Sequence, residues 1–213
     1  MKRVVIGAHL RREDIEPLAE ALAVGEVFLS TIEVAADQPL GDRDLLLRVA
    51  RVRAALLDRA TFIAIRYGFA LTSDADALAK CAAHIHRWRA LLSERRDDVE
   101  MTLKIAVEAA QKRPDRHDFS SGAAYLRALH AAREAANVGD PFRFAAEKVF
   151  ASAIERRWLH RDESSIELAA LVPRKRVDAC FAEAMNLKAQ FPHVPFLVSG
   201  PWPLEVFADA DHQ

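Results

Sequence analysis

Cysteine is nearly missing from this chain of 213 residues: only Cys81 and Cys180 are present, both in segments that read as helices and neither in a CxxC pair. A disulfide framework is thereby excluded, and two isolated thiols suit a reducing cytosol. Glycine is also scarce, with seven residues and no GxxxxGK[ST], GxGxxG or GxSxG arrangement. Phosphate-cradling loops and a nucleophile elbow are excluded by the same shortage. There is no excess of either charge: 30 basic residues face 31 acidic ones, a formal net charge of -1. No global positive field is available to hold a phosphate backbone or an anionic membrane surface. Long apolar runs are lacking too. The longest uncharged stretch, 189–204, contains Pro192, Pro195, Pro201 and Pro203, so it cannot be a spanning helix. The opening MKRVVIGAHLRRED meets charge after a few apolar residues, too soon for a signal peptide's apolar region. The expectation is a soluble, cytoplasmic protein with no nucleic-acid partner and no membrane span.

What the chain does have is 51% hydrophobic residues, enough for one large core or two small ones. Val4 to Ala8 reads as a strand, and Ile15, Leu18 and Leu22 then recur at helical spacing. Glu26 to Val34 suits a strand buried on both sides. Leu45, Val49, Val52 and Leu56 predict a helix over 42–57, and Thr61 to Tyr67 returns to a strand that Gly68 interrupts. Ser73 is a candidate N-cap, with Asp74 and Asp76 in the first turn, for one long helix whose stripe is Leu78, Ala82, Ile85, Arg89 and Leu92. The charged run Glu94 to Asp98 has no apolar anchor and predicts a boundary near residue 97.

Beyond it the order is strand 99–107, a helical region over about 121–155, strands 156–160 and 166–171, helix 174–190 and strand 194–199. Gly139, Asp140 and Pro141 split the helical region in two, with Asp140 as N-cap and Pro141 at the first helical position. β-α-β-β-α-β is the ferredoxin-like order. The expected fold class is α+β in two domains: 1–97, a small α+β unit, and 98–213, a ferredoxin-like unit with a helical insertion (about 121–155) and a tail (200–213).

Catalytic constellations are hard to assemble from these residues. His84 and His86 are two apart on a helix and diverge, and the other six histidines show no HExxH or Cys/His spacing. Neither a metal nor a cofactor is expected, and no catalytic residue is named. Ser120-Ser121-Gly122 reads as a helix start. Phe142, Phe144, Val149 and Phe150 make one helix unusually aromatic, and any exposed part of it would be a docking surface. Arg174-Lys175-Arg176 opens a helix against its dipole, either kept for a partner or simply solvated. Trp202 between two prolines predicts an extended tail whose indole seeks an apolar pocket and clamps the two domains.

Four segments, taken in order, resemble one family. Phe62-Ile63-Ala64-Ile65-Arg66-Tyr67-Gly68-Phe69 is similar to a "PxRFG" strand and turn, with Arg66, Tyr67 and Gly68 on its core and Ala64 in place of the usual proline. Val99 to Ile105 resembles "E-W/M-x-x-K-V", matched at Glu100 and Lys104. Ser121 to Leu126 is similar to "GxAYL", matched at Gly122, Tyr125 and Leu126. Gly200-Pro201-Trp202-Pro203 resembles the start of "TGPWPPYSF", with Leu204 to Phe207 divergent. The first 35 residues look shortened and lack the tyrosine-rich opening strand. On these motifs the chain resembles the gas vesicle GvpF/GvpL family.

That resemblance implies a non-enzymatic accessory protein of the gas vesicle cluster, which binds the apolar shell subunit, other accessory proteins or the growing shell. Candidate contacts are Arg66, Tyr67, Tyr125 and the aromatic helix with Phe142 and Phe150. Plainer readings stand beside these. Arg66 can satisfy carbonyls while Gly68 supplies a turn; Glu100 and Lys104, on one face of a strand, can form an ion pair; Tyr125 and Leu126 can be core. A minor structural component retained on the vesicle, or a ferredoxin-like small-molecule or regulatory module, are the alternatives.

Overall fold

The computed structural model describes residues 1–106, 115–136, 140–162 and 165–208. Val107, Gly139, His212 and the side chain of Asp140, all of which carried expectations, lie outside what is described. The chain adopts a mixed α and β fold with two antiparallel sheets. It divides into two units, Met1–Glu100 with Trp202–Gln213, and Met101–Pro201. The tail, expected to close the second domain, is thus grouped with the first from Trp202 on.

In the first unit, β1 (Lys2–His9) is the central strand, buried on both faces: the apolar Val4, Val5, Ile6 and Ala8 and the polar His9 are all fully buried. It pairs antiparallel with β3 (Val27–Val34) from Lys2↔Val34 to His9↔Phe28, with a register shift between Val5 and Gly7. The segment expected to be helical around Ile15, Leu18 and Leu22 is instead a short 3-10 turn, Arg12–Asp14, followed by strand β2 (Glu20–Val24). Pro17 has no N–H to continue a helical ladder, and Leu22 and Val24 then face inward at a spacing of two. β2 turns back into β3 at Gly25 and Glu26, where Gly25 takes a φ of 60°, the left-handed geometry a tight hairpin requires.

Helix α1 (Arg43–Arg59) starts where Asp42 accepts the Leu45 N–H at 2.9 Å and buries Leu45, Val49, Leu56 and Leu57. The expected strand 61–67 contracts to β4 (Ile63–Ala64), and the chain returns to β1 through β5 (Ala70–Leu71). The single long helix expected after Ser73 is two: α2 (Asp74–Cys81), capped by the Ser73 hydroxyl, and α3 (Ile85–Glu94). The His84 N–H bonds the Cys81 carbonyl, three residues back, and closes α2. The break lets α2 lie against β2 and β5, and α3 against β1 and β3. It also resets the inward stripe to Ala77, Cys81, Ile85 and Leu92, leaving Leu78 exposed.

The second unit's sheet has strand order β7-β8-β6-β9, with β6 at Asp98–Ala106, β7 at Glu155–Asp162, β8 at Ser165–Pro173 and β9 at Phe196–Trp202. Met101, Leu103 and Ile105 of β6 point inward, alternating with Lys104 and Ala106, which are exposed. Helices α4 (Gly122–Ala136) and α5 (Asp140–Val149) precede β7, and α6 (Val177–Gln190) precedes β9. Arg174–Arg176 is a 3-10 turn leading into α6. Helix α5 packs on α6. Phe142 seats edge-on against Phe191 at 5.2 Å and tilted against Phe196 at 5.7 Å, while the Trp158 indole donates to Glu147 and fastens α5 to β7.

Candidate functional site

The Arg-aromatic-Gly segment is a turn held by its own backbone. The Phe69 N–H donates to the Arg66 carbonyl at 3.3 Å, and Gly68 sits at φ 97°, a conformation that favours glycine. Tyr67 is half-buried and its hydroxyl donates to the Leu40 carbonyl. Arg66 stands exposed. The carbonyl-satisfying arginine of this region is Arg53, which sequence reading did not single out. From α1 it donates to the carbonyls of Ile65 at 2.9 Å and Ile6 at 3.4 Å.

Glu100 is only 2% exposed. Both carboxylate oxygens are used: Oε1 accepts the N–H groups of Glu205 (2.7 Å) and Phe207 (2.9 Å), and Oε2 that of Val206 (3.1 Å). This replaces the ion pair expected with Lys104, which is exposed. A buried carboxylate needs donors, and the turn at 205–207 supplies three at once. Burial pushes the Glu100 carboxyl up to about 7 against the lowering effect of those three bonds. Leu204, just before the turn, is fully buried and lies parallel to Ile63: its N–H bonds the Phe62 carbonyl at 2.9 Å and its carbonyl accepts from Ala64 at 2.8 Å.

Trp202, expected in an apolar pocket, is 48% exposed, and burial passes to Pro203, Leu204, Val206 and Phe207. The tail is fastened through its main chain. Gly200, at φ 130°, precedes a cis peptide bond to Pro201 at the end of β9.

In the third motif the Ser121 hydroxyl accepts the Ala124 N–H and so caps α4, as its position suggested. Gly122 lies beside Arg116, whose guanidinium would be 3.3 Å from an added Cβ. Tyr125 is half-buried, with Phe119 tilted against it at 6.0 Å and the Arg116 guanidinium 5.9 Å from its ring centroid. Leu126, read as core, is 65% exposed. The aromatic helix divides similarly. Phe142 and Phe150 are buried, whereas Phe144 is 64% exposed with Lys148 over its ring.

Of the motif residues, Arg66, Tyr67, Gly68, Glu100 and Trp202 belong to the first unit and Lys104, Gly122, Tyr125, Leu126, Phe142, Phe150, Gly200 and Pro201 to the second. Among the described residues no group of three or more His, Cys, Asp or Glu side chains is placed to hold a metal ion, and no helix is long and apolar enough to cross a membrane. Two features escaped sequence reading, one buried and one exposed. His9 is stacked on Phe62 at 4.8 Å with its Nε2 3.0 Å from the Ser30 hydroxyl, and burial lowers its pKa to about 4. Helix α6 exposes Phe181 and Met185.

The solved structure of the gas vesicle protein GvpF from Anabaena sp. PCC7120 matches with a TM-score of 0.71 at 13% identity, over 99% of this chain and 97% of that one. GvpF from Microcystis aeruginosa matches with a TM-score of 0.72 at 11% identity, over 98% and 99%. At such identities the likeness is one of fold. A search of curated proteins found no match. The model of the family described as gas vesicle synthesis protein GvpL/GvpF matches residues 16–208, and the chain therefore belongs to the GvpL/GvpF family.

Proposed function

We propose that this chain is a non-catalytic assembly factor of gas vesicles in the cytoplasm, which holds the apolar shell subunit or an accessory protein until it is added to the growing vesicle. The observation that carries this is a set of large apolar side chains left exposed on helices of the second unit: Leu126 on α4, Phe144 on α5, and Phe181 and Met185 on α6. Side chains of this kind are the contacts through which another apolar protein would dock, where they join into one patch. Family membership directs the reading to gas vesicle proteins. Binding such a subunit lowers its free concentration and so its uncontrolled association.

We read the second unit as ferredoxin-like, since β6, β7, β8 and β9 follow one another in the β-α-β-β-α-β sequence with β6 next to β8 and β9. Arg66, exposed beside the Gly68 turn, is a contact candidate in the first unit. The test is co-expression of the tagged chain with the shell subunit. Recovery of the subunit above a non-specific control is expected, and recovery equal to that control overturns the reading.

A further inference from the structure

The chain leaves the first unit after Glu100 and returns to it at Trp202, so that residues 101–201 are inserted between the two. One side chain gathers the ends of this insertion. Glu100 accepts the N–H groups of Glu205, Val206 and Phe207, 105 to 107 positions away. These follow Leu204, whose bridge to Ile63 joins the returning segment to β4. The joint is therefore made with an ionisable group, and its surroundings leave the charge without a counterion: among the described residues no cation pairs with Glu100.

The charges around Glu100 come from three elements. Glu205, in the turn itself, acts on it as a second carboxylate. Helix α1 brings Arg53, which feels the Glu205 charge and gives its guanidinium to the Ile6 and Ile65 carbonyls. Strand β6 brings Asp98, buried and also pushed up by burial, with Arg95, Asp97 and Glu94 acting on it. The residues leading into β4 add only the neutral Thr61, which donates to the Asp98 carbonyl at 2.7 Å. Ionised, Glu100 sets three amide bonds against burial and a like charge. Neutral, with its proton on Oε2, it keeps Oε1 for the two shorter bonds, from Glu205 and Phe207.

We propose that residues 204–207 are a latch on the first unit, held shut by Glu100 in its protonated form and loosened when Glu100 ionises. Burial pushes the carboxyl up to about 7 while the segment is closed, and opening returns it to water and to its ordinary 4.5. The segment should therefore open more easily as pH rises between those values and level off above them. Released, it uncovers the Phe62 carbonyl and the Ala64 N–H on β4, main-chain groups with which another strand can pair, and the returning chain is no longer anchored to the first unit.

Hydrogen exchange on the full chain at pH 6 and pH 8 tests this, each rate being divided by that of an unstructured peptide so that only opening is read. The amides of Leu204 to Phe207 are expected to open more readily than those of Val4 to Ala8, and about tenfold more readily at pH 8 than at pH 6. Glu100→Gln should bring that ratio to one. Glu205→Gln, at an exposed position, removes the like charge and should reduce the ratio, a second reading that survives if the first variant does not fold. Equal exchange at 204–207 and at Val4 to Ala8 would mean that the segment opens only with the whole unit, and that there is no latch. A ratio near one in the unaltered chain, or one that both variants leave intact, would take control away from Glu100 and overturn the proposal. Tighter closure at pH 8 would overturn it as well, since the three amides would then favour the ionised carboxylate.

Discussion

Replacing Glu100 by glutamine removes one buried ionisable group and leaves a side chain of nearly the same shape. In the folded chain the carboxyl titrates near 7 instead of its ordinary 4.5 because it is buried. A raised carboxyl pKa means that the folded state binds more protons than the unfolded state between those two values. Stability from this group is therefore present below 4.5 and lost as the pH rises through 7. Between pH 5 and pH 8 the linkage amounts to roughly 2.5 kcal/mol. The glutamine variant lacks it, so the gap in stability between the two proteins should change by about that amount, with the unaltered chain relatively more stable in acid.

Two units need not unfold in one step, so the measurement must be local. Hydrogen exchange at the central-strand amides of Val4 to Ala8, with the 205–207 amides read alongside, reports on the first unit. Parallel pH profiles for the two proteins would refute the reasoning. Such a result would mean that the three amide bonds fully offset burial and hold Glu100 ionised.

Four further outcomes follow from the same geometry. His9, whose pKa burial lowers to about 4 from 6.5, works in the opposite direction: the unfolded chain takes up its proton first, so stability is lost as pH falls from 6.5 towards 4. His9→Gln should remove an acid loss of about 3 kcal/mol, read as a flatter exchange profile in acid. Gly7→Ala places a Cβ 2.4 Å from the Phe62 ring and 2.8 Å from the Ile63 carbonyl. It should destabilise the first unit by about 1–3 kcal/mol in urea unfolding. Phe150→Ala empties a fully buried site and should cost the second unit about 3–5 kcal/mol by the same assay. Asp42→Ala removes the cap of α1 and should cost about 1 kcal/mol, visible first as faster exchange at Leu45.

Glu100 and His9 belong together in a way that neither shows alone. Their opposed titrations overlap between about pH 4.5 and 6.5, so the unaltered chain should be nearly flat there. Each single variant should uncover the slope of the other group. A steep slope in the unaltered chain would place a further titrating group in control of acid stability.

How much of this could be read from the residues depended on distance along the chain. The Ser73 cap, the Ser121 cap, the Gly68 turn and the strand–helix order of the second half are set by neighbours within a few positions, and the sequence pattern locates them. The role of Glu100 is set by amides more than a hundred positions away; a strand pattern shows only that Lys104 shares its face. Trp202 misled for the same reason. Its flanking prolines mark an extended tail correctly, but what fastens that tail is main-chain bonding of Leu204 to β4, which leaves no trace in side-chain type. The segment from Ile15 to Leu22 went wrong locally: a spacing of three and four imitates a helix, while Pro17 between them denies it the hydrogen bonds.

Helix α6 was hidden by a different cause. Amphipathic periodicity reveals a helix face only when the other face differs from it. Where Ala179, Phe181, Ala182, Met185 and Ala189 repeat the apolar character of the buried stripe and Asp178 is the one charged interruption, that contrast is weak. Burial separates the two faces. Val177, Cys180, Ala184 and Leu187 are covered within the fold and the second set is exposed.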